Sequence, residues 1–378
     1  MSESTPVLAI TTHFADLTDT RLDRTRLHDL MDIVVISICA VICGAEGWVD
    51  IAKYGKAKSS WLKTFLKLPN GIPSHDTFRR VFCLMDPAAF QRCFQNWIDA
   101  LSESLGLKRI AIDGKTLRRS FDRATGKAAL HLVSAWAAEQ HLVLGQVAVD
   151  SKSNEITAIP KLLAMIDISG AIVTIDAMGC QKDIAAKIRE GGGDYVLSVK
   201  GNQERLFEDV KNTFEKGLEC DFTDMKHSSW EVIYKGHGRE ERQLVQTIQS
   251  PEGIRDLDLW KDLRAMTMVT SLRQENGKEE TIEVRYYIGS KAAGAKAYAE
   301  YVRGHWGIEN GLHWVLDVSF DEDQSRMRTD HSAENMALLR RLALCLLKKH
   351  KKEGSIRGKR LQSGWDNGML EEVLGCKS

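Results

Sequence analysis

Two short apolar segments that each end in Ile-Asp constrain the fold of this chain more than any other feature. Residues 108–113 and 171–176 are rich in Ile, Ala and Val, and each ends in an aspartate, a pattern typical of short buried β-strands. In an open sheet, carboxylates at the carboxyl ends of neighbouring strands converge where ligands bind. If these strands are neighbours, we expect Asp113 and Asp176 to face each other at one edge of the sheet.

The segments around this pair alternate between strand and helix patterns. Strands are predicted at 129–138 and 142–149, and a helix is predicted at 156–165. After the second aspartate, a helix at 182–190 and a strand at 195–199 follow. Three strands, helix, strand, helix, strand is the order of an RNase H-like fold. We therefore predict the α/β class, with a mixed sheet and flanking helices.

The same patterns divide the chain into six segments. A helical N-terminal domain is predicted at 13–106, and it fits either a DNA-binding helix-turn-helix or a plain bundle with a basic edge. The segment at 204–290 has four strand patterns and is predicted to be a β-rich insertion in the catalytic core. The remaining segments are a loose leader at 1–12, the two parts of the RNase H-like core at 107–203 and 291–350, and a basic C-terminal tail at 351–378.

Composition limits the class of protein. The 378 residues are 43% hydrophobic and 28% charged, as expected of a soluble globular protein. The net charge of zero neither supports nor excludes a DNA partner, because DNA is bound by local basic patches. The longest apolar run, 33–45, is shorter than the roughly 20 residues that span a bilayer, so no membrane segment is predicted. Eight cysteines without a CxxC pair predict a cytoplasmic location, with no disulfide framework and no zinc site.

A dense cluster of charged, imidazole and indole side chains lies in a predicted helix at 296–318. His305, Glu309 and His313 recur at helical spacing and share one face. Two interpretations are open: a single-metal site with imidazole ligands, as in a metallohydrolase, or a third carboxylate beside the two aspartates. Glycines at 304, 307 and 311 weaken this helix, which predicts a neighbour packed close against its backbone.

The second interpretation predicts a magnesium site. Two close carboxylates repel each other, and one pKa rises unless a cation lies between them. Mg²⁺ takes oxygen ligands and accepts sites with only a few carboxylates. With Glu309 as a third ligand, Asp113 and Asp176 predict a site for two metals about 3.5–4 Å apart. Such a pair stabilises both the attacking and the leaving oxygen of an in-line phosphoryl displacement.

Four motifs stand out along the chain, with a fifth segment at 317–326: Ile112-Asp-Gly-Lys115, Thr174-Ile-Asp-Ala-Met178, Tyr195-Val-Leu-Ser-Val-Lys-Gly-Asn-Gln203 and His305-Trp-Gly-Ile-Glu-Asn-Gly-Leu-His-Trp314. Together they resemble the DDE transposases of bacterial insertion sequences, most closely the H-repeat-associated branch found near Rhs elements. The resemblance implies an RNase H-like core in which Asp113, Asp176 and Glu309 bind two Mg²⁺ ions, with Mn²⁺ as a substitute. It also implies cleavage at element ends and strand transfer into double-stranded DNA, by a homodimer or a larger assembly.

Basic and polar residues near these motifs are predicted DNA contacts: Lys115, Arg118, Arg119, Lys200, Gln203, Arg303 and His305. A basic run at 348–360 is predicted to follow phosphates as well. Where the broader superfamily has a tyrosine, an arginine and a lysine around its glutamate, this chain has Val302, His305 and Leu316, so the phosphate contacts of this helix stay unassigned. Two alternatives remain: a degenerate or domesticated relative that binds DNA without transposing, and a metal-dependent nuclease without strand transfer.

Overall fold

The computed structural model describes residues 11–102, 106–122, 126, 128–149, 155–236, 239–275 and 279–375. Within these ranges the chain forms one nine-stranded mixed sheet with flanking helices, which confirms the predicted mixed α/β class. The strands are β1 (Arg109–Thr116), β2 (His131–Ala137), β3 (Leu142–Val149), β4 (Ile172–Ile175), β5 (Asp194–Val199), β6 (Lys226–Gly236), β7 (Arg239–Gln249), β8 (Ala265–Glu275) and β9 (Thr281–Gly289). The helices are α1 (Leu30–Ile42), α2 (Trp48–Ala57), α3 (Ser59–Leu62), α4 (His75–Leu84), α5 (Pro87–Ser102), α6 (Glu155–Leu163), α7 (Lys182–Glu190), α8 (Glu204–Glu219), α9 (Ala295–Ile308), α10 (Trp314–Phe320), α11 (Ser332–Lys349), α12 (Ile356–Trp365) and α13 (Asn367–Val373).

The order of strands across the sheet is β3-β2-β1-β4-β5-β9-β8-β7-β6. β4 lies parallel to both β1 and β5, and the other neighbouring pairs are antiparallel. The β1–β4 register aligns Ile112 with Ile175, so the aspartates that follow them lie on adjacent strands. One detail of the prediction is wrong: β1 does not end at Asp113, because its pairing with β2 continues to Thr116.

The β-rich segment extends the core sheet. Strands β6 to β9 lie where four strand patterns are predicted, and each is longer than its pattern. β9 pairs with β5 and aligns Ile288 with Leu197, which joins the four strands to the core. α8 covers one face of this extension, because Phe207 and Phe214 pack their rings against Tyr286 of β9. The segment predicted as an insertion therefore continues the sheet that carries the two aspartates.

The N-terminal helices are organised around α1, which is apolar on every side. Asp29 begins this helix by accepting a hydrogen bond at Oδ1 from the Met31 N–H (2.7 Å). Residues 33–42 are buried against α11, in the same hydrophobic core as the strands β1 to β5. Helices and sheet thus share one core across the predicted boundary at 106. Even α1 is too short to cross a bilayer, and the described ranges contain no helix with the length and apolar character to do so.

The described C-terminal residues up to 375 are folded, and two of their basic side chains, Lys359 and Arg360, are buried. Lys359 of α12 donates from Nζ to the carbonyls of Leu347 and His350 (3.1 and 2.9 Å), at the end of α11. Arg360 donates to the carbonyl of Val41 at the end of α1 (3.0 Å). The prediction that the run at 348–360 follows phosphates is therefore wrong at these two residues, because both cations bind carbonyl oxygens inside the fold.

Candidate active site

A cavity of about 210 Å³ opens where β1 and β4 carry their aspartates. Asp113 of β1, Asp176 directly after β4 and Glu309 directly after α9 all line it. The parallel register explains the first two, since Ile112 and Ile175 are aligned neighbours. The structure thus brings the three carboxylates singled out in the sequence to one cavity.

Neighbouring groups orient the two aspartates. Oδ1 of Asp176 accepts hydrogen bonds from the backbone N–H groups of Met178 (3.0 Å) and Gly179 (3.4 Å), in a turn that short acidic side chains favour. Oδ2 of Asp113 lies 3.4 Å from Nδ1 of His313, at the far end of the segment that begins with Glu309. Each aspartate therefore has one carboxylate oxygen held by neighbouring groups, and both side chains line the cavity.

Burial and charge repulsion set the ionisation of these carboxyl groups. Burial, together with the nearby carboxylates of Asp176 and Glu309, raises the pKa of Asp113 to about 7. Burial also raises the pKa of Glu309 above its usual range, although the Arg285 guanidinium offsets part of that rise. The raised pKa of Asp113 means that the neighbouring groups do not neutralise the negative charge of the ionised carboxylates. A bound cation is the natural complement.

The helix predicted at 296–318 is not α-helical throughout. α9 ends at Ile308, a π-helical turn covers Glu309–His313, and α10 begins at Trp314. A π turn contains one more residue than an α-helical turn, and such turns often occur at functional sites. Glu309 and His313 consequently stand at the two ends of the turn. All three side chains still face the site, since His305 and Glu309 line the cavity and His313 lies beside Asp113.

The predicted close packing against the glycines is confirmed at two positions. A Cβ atom on Gly311 would lie 3.1 Å from Cζ2 of Trp136, and one on Gly307 would lie 3.1 Å from Cβ of Ala138. Both neighbours belong to or directly follow β2, beside the strand that carries Asp113. The absence of side chains at these two glycines lets the helix lie directly on the sheet.

The residues present fit a hard divalent cation by their chemistry. The three carboxylates offer only oxygen donors, as Mg²⁺ prefers, and the raised pKa of Asp113 marks negative charge that nothing compensates. As placed, however, no three His, Cys, Asp or Glu side chains of the described residues are gathered closely enough to hold a metal. His305 Nδ1 lies 3.0 Å from Thr174 Oγ1, and His313 Nδ1 lies 3.4 Å from Asp113 Oδ2.

Two family models match the chain and together cover most of it. The model described as Transposase DDE domain matches residues 105–346. This chain belongs to the DDE transposase family. The model described as DDE_Tnp_1-associated matches residues 11–98, the helical part that precedes β1 in this transposase.

Relatives of the transposase place it in the H-repeat-associated branch. H repeat-associated putative transposase YhhI of Escherichia coli (strain K12) is 42% identical to it over 368 residues, which is 96% of each chain. H repeat-associated putative transposase YbfD of the same strain is 46% identical over 230 residues, 61% of this chain and 89% of that protein. Among solved structures, a piggyBac transposase synaptic complex with hairpin DNA shares a TM-score of 0.46 and 10% identity, over 98% of this chain and 81% of that one. This structural similarity is too low to support a conclusion about the fold or the function of the chain.

Four of the predicted DNA contacts are exposed basic residues of the transposase. Lys200 lies directly after β5 and lines the cavity. Arg118 and Arg119 follow β1 and are exposed, and the Arg118 Nε atom lies 3.5 Å from a carboxylate oxygen of Asp323. Arg303 is exposed on α9 and does not line the cavity, and its guanidinium carbon lies 4.3 Å from the centre of the Tyr234 ring. All four are placed to meet a ligand from solvent, and their contact with DNA stays a prediction.

The other three predicted DNA contacts have partners inside the protein. Lys115 is buried, and its Nζ atom binds the carboxylates of Asp317 and Glu322. Gln203 donates from Nε2 to the Cys180 carbonyl (2.9 Å) and so holds the turn after β4. The third, His305, lines the cavity, but one ring nitrogen is engaged as described above and burial lowers its pKa. For the buried Lys115 the prediction is revised to a structural role, whereas contact of Gln203 and His305 with DNA stays a prediction.

Arg285 of β9 also lines the cavity, and the sequence analysis missed it. Its guanidinium carbon lies 5.1 Å from the centre of the Trp306 ring, and Nε and Nη2 donate to the two carboxylate oxygens of Glu283 (2.8 and 2.9 Å). In the sequence, a single arginine within a strand pattern does not indicate a functional role. Only the pairing of β9 with β5 brings this residue beside Glu309.

Proposed function

We propose that this transposase cleaves phosphodiester bonds at the ends of a mobile element and joins the resulting 3′-hydroxyl to target DNA, in a reaction that requires a divalent metal. The observation that carries the proposal is the meeting of Asp113, Asp176 and Glu309 at one cavity. Membership of the DDE transposase family supports it, because the matched region contains all three residues.

The catalytic core that we propose is RNase H-like. Support comes from the order β3-β2-β1-β4-β5, with an antiparallel β1–β2–β3 meander and the parallel strands β4 and β5 added beside β1. Asp113 and Asp176 are then the acids of the two adjacent central strands. Strands β6 to β9 follow the last of these core strands and precede the helix that leads to Glu309.

Asp113, Asp176 and Glu309 would hold the metal, which we propose to be Mg²⁺ or Mn²⁺ because the donors are all oxygen. When bound, such ions stabilise charge on the attacking and leaving oxygens of phosphoryl transfer. Arg285 and Lys200, which line the same cavity, bind the phosphates of the strand to be cut. Arg285 thus supplies a positive charge to the cavity from β9, while His305 stands where the superfamily has arginine.

Double-stranded DNA is the proposed partner, as element end and as target, and assembly as a homodimer or a larger complex belongs to the same proposal. The exposed residues Arg118, Arg119 and Arg303 would extend the phosphate contacts beyond the cavity. The protein would act in the cytoplasm, on the nucleoid when bound to DNA. Affinity for duplex DNA should therefore fall steeply as salt rises.

The test is a cleavage and strand-transfer assay on duplex DNA that carries the sequence flanking the gene. The wild-type protein should cleave and join in Mg²⁺ but not in EDTA. Asp113→Asn should abolish both steps and still bind the duplex, because the asparagine keeps the shape of the side chain but loses its charge. Cleavage that persists in EDTA, or in the variant, would contradict the proposal. Cleavage without joined products would instead favour the nuclease alternative.

A further inference from the structure

Beside the cavity lies a cluster of buried charged side chains that the proposed reaction does not use. The Lys115 Nζ atom binds Asp317 and lies 3.2 Å from Glu322 Oε2 and 4.0 Å from Asp323 Oδ1. The other carboxylate oxygen of Glu322, Oε1, accepts a hydrogen bond from Arg341 Nη1 (2.9 Å). Glu322 and Arg341 are fully buried, and Lys115 is 8% exposed. We call Lys115, Asp317, Glu322 and Arg341 the charge cluster.

Burying the charged groups of Lys115, Glu322 and Arg341 costs solvation free energy, and well-packed apolar side chains would often stabilise the fold as well or better. The Lys115 ammonium and the Arg341 guanidinium hold the pKa of Glu322 down to about 2, despite its burial, so it stays charged. A cluster of this kind fixes the relative positions of its side chains, because each buried charge is tolerated only beside its partners. The question is which geometry it specifies.

The charge cluster joins the strand of one proposed metal ligand to the helical segment of another. Lys115 lies two residues after Asp113 on β1, so the two side chains point to the same face of the sheet. Its Nζ atom also lies 3.5 Å from the carbonyl oxygen of His313, the last residue of the π turn that begins with Glu309. Asp317 is on α10, one turn beyond His313. Lys115 therefore holds the far end of the π turn against the strand that carries Asp113.

We propose that Lys115, bound by Asp317 and Glu322, is a positioning residue that fixes the separation of Asp113 and Glu309 and thereby the affinity of the site for its divalent cation. This inference rests on the proposed function, since it takes those two carboxylates as metal ligands. It also gives a role to two residues of the acidic segment at 317–326: the carboxylates of Asp317 and Glu322 serve Lys115 and Arg341 and are not additional metal ligands.

The direction in which metal affinity changes when Lys115 is replaced distinguishes a positioning role from a purely electrostatic one. Lys115 is a cation beside a cation site, so by electrostatics alone its removal should tighten metal binding. If Lys115 sets the geometry of the ligands, its removal should weaken metal binding instead. A direct contact between Lys115 and DNA makes a third prediction: weaker binding of duplex DNA and a shallower salt dependence, with metal affinity no weaker.

The experiment measures the dissociation constant of Mn²⁺ by electron paramagnetic resonance of the free ion, on full-length protein below its unfolding temperature. Lys115→Met keeps the length of the side chain but loses its charge, and should weaken Mn²⁺ binding about tenfold, the scale seen for outer-shell partners of metal ligands. Lys115→Arg should restore most of the affinity. If Lys115→Met does not fold, Lys115→Gln serves in its place, since it removes the same positive charge but keeps a polar group beside Asp317, so the direction of the change in Mn²⁺ affinity still decides between the two explanations.

Two control substitutions show whether a change in Mn²⁺ affinity is specific to the proposed site. Lys211→Met, which breaks an exposed ion pair with Glu215 on α8, should leave the Mn²⁺ dissociation constant unchanged. Asp113→Asn should abolish the site, and a wild-type protein with no Mn²⁺ site that depends on Asp113 would overturn the proposed function and this inference with it. A site that is lost in Asp113→Asn but unchanged or tighter in Lys115→Met would overturn the inference alone. Weaker duplex binding by Lys115→Met with unchanged Mn²⁺ affinity would also overturn it.

Discussion

Asp113 bears a large electrostatic cost when it ionises in the folded protein. Its pKa rises from 3.8 in the unfolded chain to about 7 in the folded protein, because it is largely buried beside two other carboxylates. A carboxyl group whose pKa is raised by folding destabilises the fold wherever it must ionise, and the penalty is complete above the folded pKa. Metal-free protein at pH 8 therefore carries the full penalty, which disappears as the pH falls from 7 to 4.

Asp113→Asn should stabilise the metal-free protein, even though it abolishes cleavage. We expect the free energy of unfolding in EDTA at pH 8 to increase by up to about 4 kcal/mol, the equivalent of the pKa shift, and the gain to vanish near pH 4. Urea denaturation at both pH values measures it. Mg²⁺ should raise the stability of the wild type and not that of the variant. An Asp113→Asn protein that is less stable than wild type at pH 8 in EDTA would contradict this explanation.

Arg285 affects the ionisation of Glu309. Its guanidinium lowers the pKa of Glu309 against the effect of burial, so its loss should raise that pKa further. Arg285→Gln should reduce cleavage and move the acidic limb of the pH–rate profile to higher pH, because Glu309 must be ionised to act. Arg273→Gln is the matched control, since Arg273 pairs with Glu283 as well but does not line the cavity. Equal effects of the two substitutions would rule out a specific role for Arg285.

The helical segment that carries Glu309 depends on close contact with β2. Gly311→Ala places a Cβ atom 3.1 Å from Trp136, a buried ring with little room to move, and such overpacking costs about 1–3 kcal/mol. Gly304→Ala, by contrast, places its Cβ atom 3.5 Å from Arg109 Cδ, an ordinary contact, and should gain about 0.5–1 kcal/mol of helix propensity.

Thermal unfolding of the two variants should therefore show opposite shifts. Gly304→Ala should raise the melting temperature with cleavage unchanged. Gly311→Ala should lower it and also slow cleavage, because Gly311 lies inside the π turn that Glu309 begins. If both substitutions stabilise the protein equally, the helix does not lie on Trp136 as described.

Local patterns predicted the elements, but not how distant segments meet. The aspartates of β1 and β4 were predicted to face each other because strand patterns and parallel pairing are sufficient for that inference. The π turn at Glu309 was not predicted, since it lies where the helix packs against Trp136, far away in the sequence. Lys115 was misassigned for the same reason, because Asp317 lies about two hundred residues along the chain. The choice of Glu309 as the third carboxylate depended on the family resemblance as much as on helical spacing.

At the scale of the whole molecule, the helices before β1 and the sheet share one hydrophobic core. Removing residues 1–105 would expose the face of α11 that α1 covers, and each large apolar side chain of α1 contributes about 1.5–3 kcal/mol by its burial. A fragment of residues 106–378 should therefore fail to unfold cooperatively and should bind hydrophobic dyes. Near-ultraviolet circular dichroism and thermal scans of this fragment measure both properties. A cooperative transition at the wild-type temperature would show instead that the sheet folds as an independent domain.

The central claim is that Asp113, Asp176 and Glu309 form one metal site. The most direct measurement is anomalous diffraction from crystals of the transposase soaked in Mn²⁺. We predict one or two peaks in the cavity, with oxygen atoms of all three carboxylates at about 2.1 Å from the metal, and no peak there in Asp113→Asn crystals. Mn²⁺ bound without Glu309, or bound only at another acidic group such as Asp317, would contradict the account.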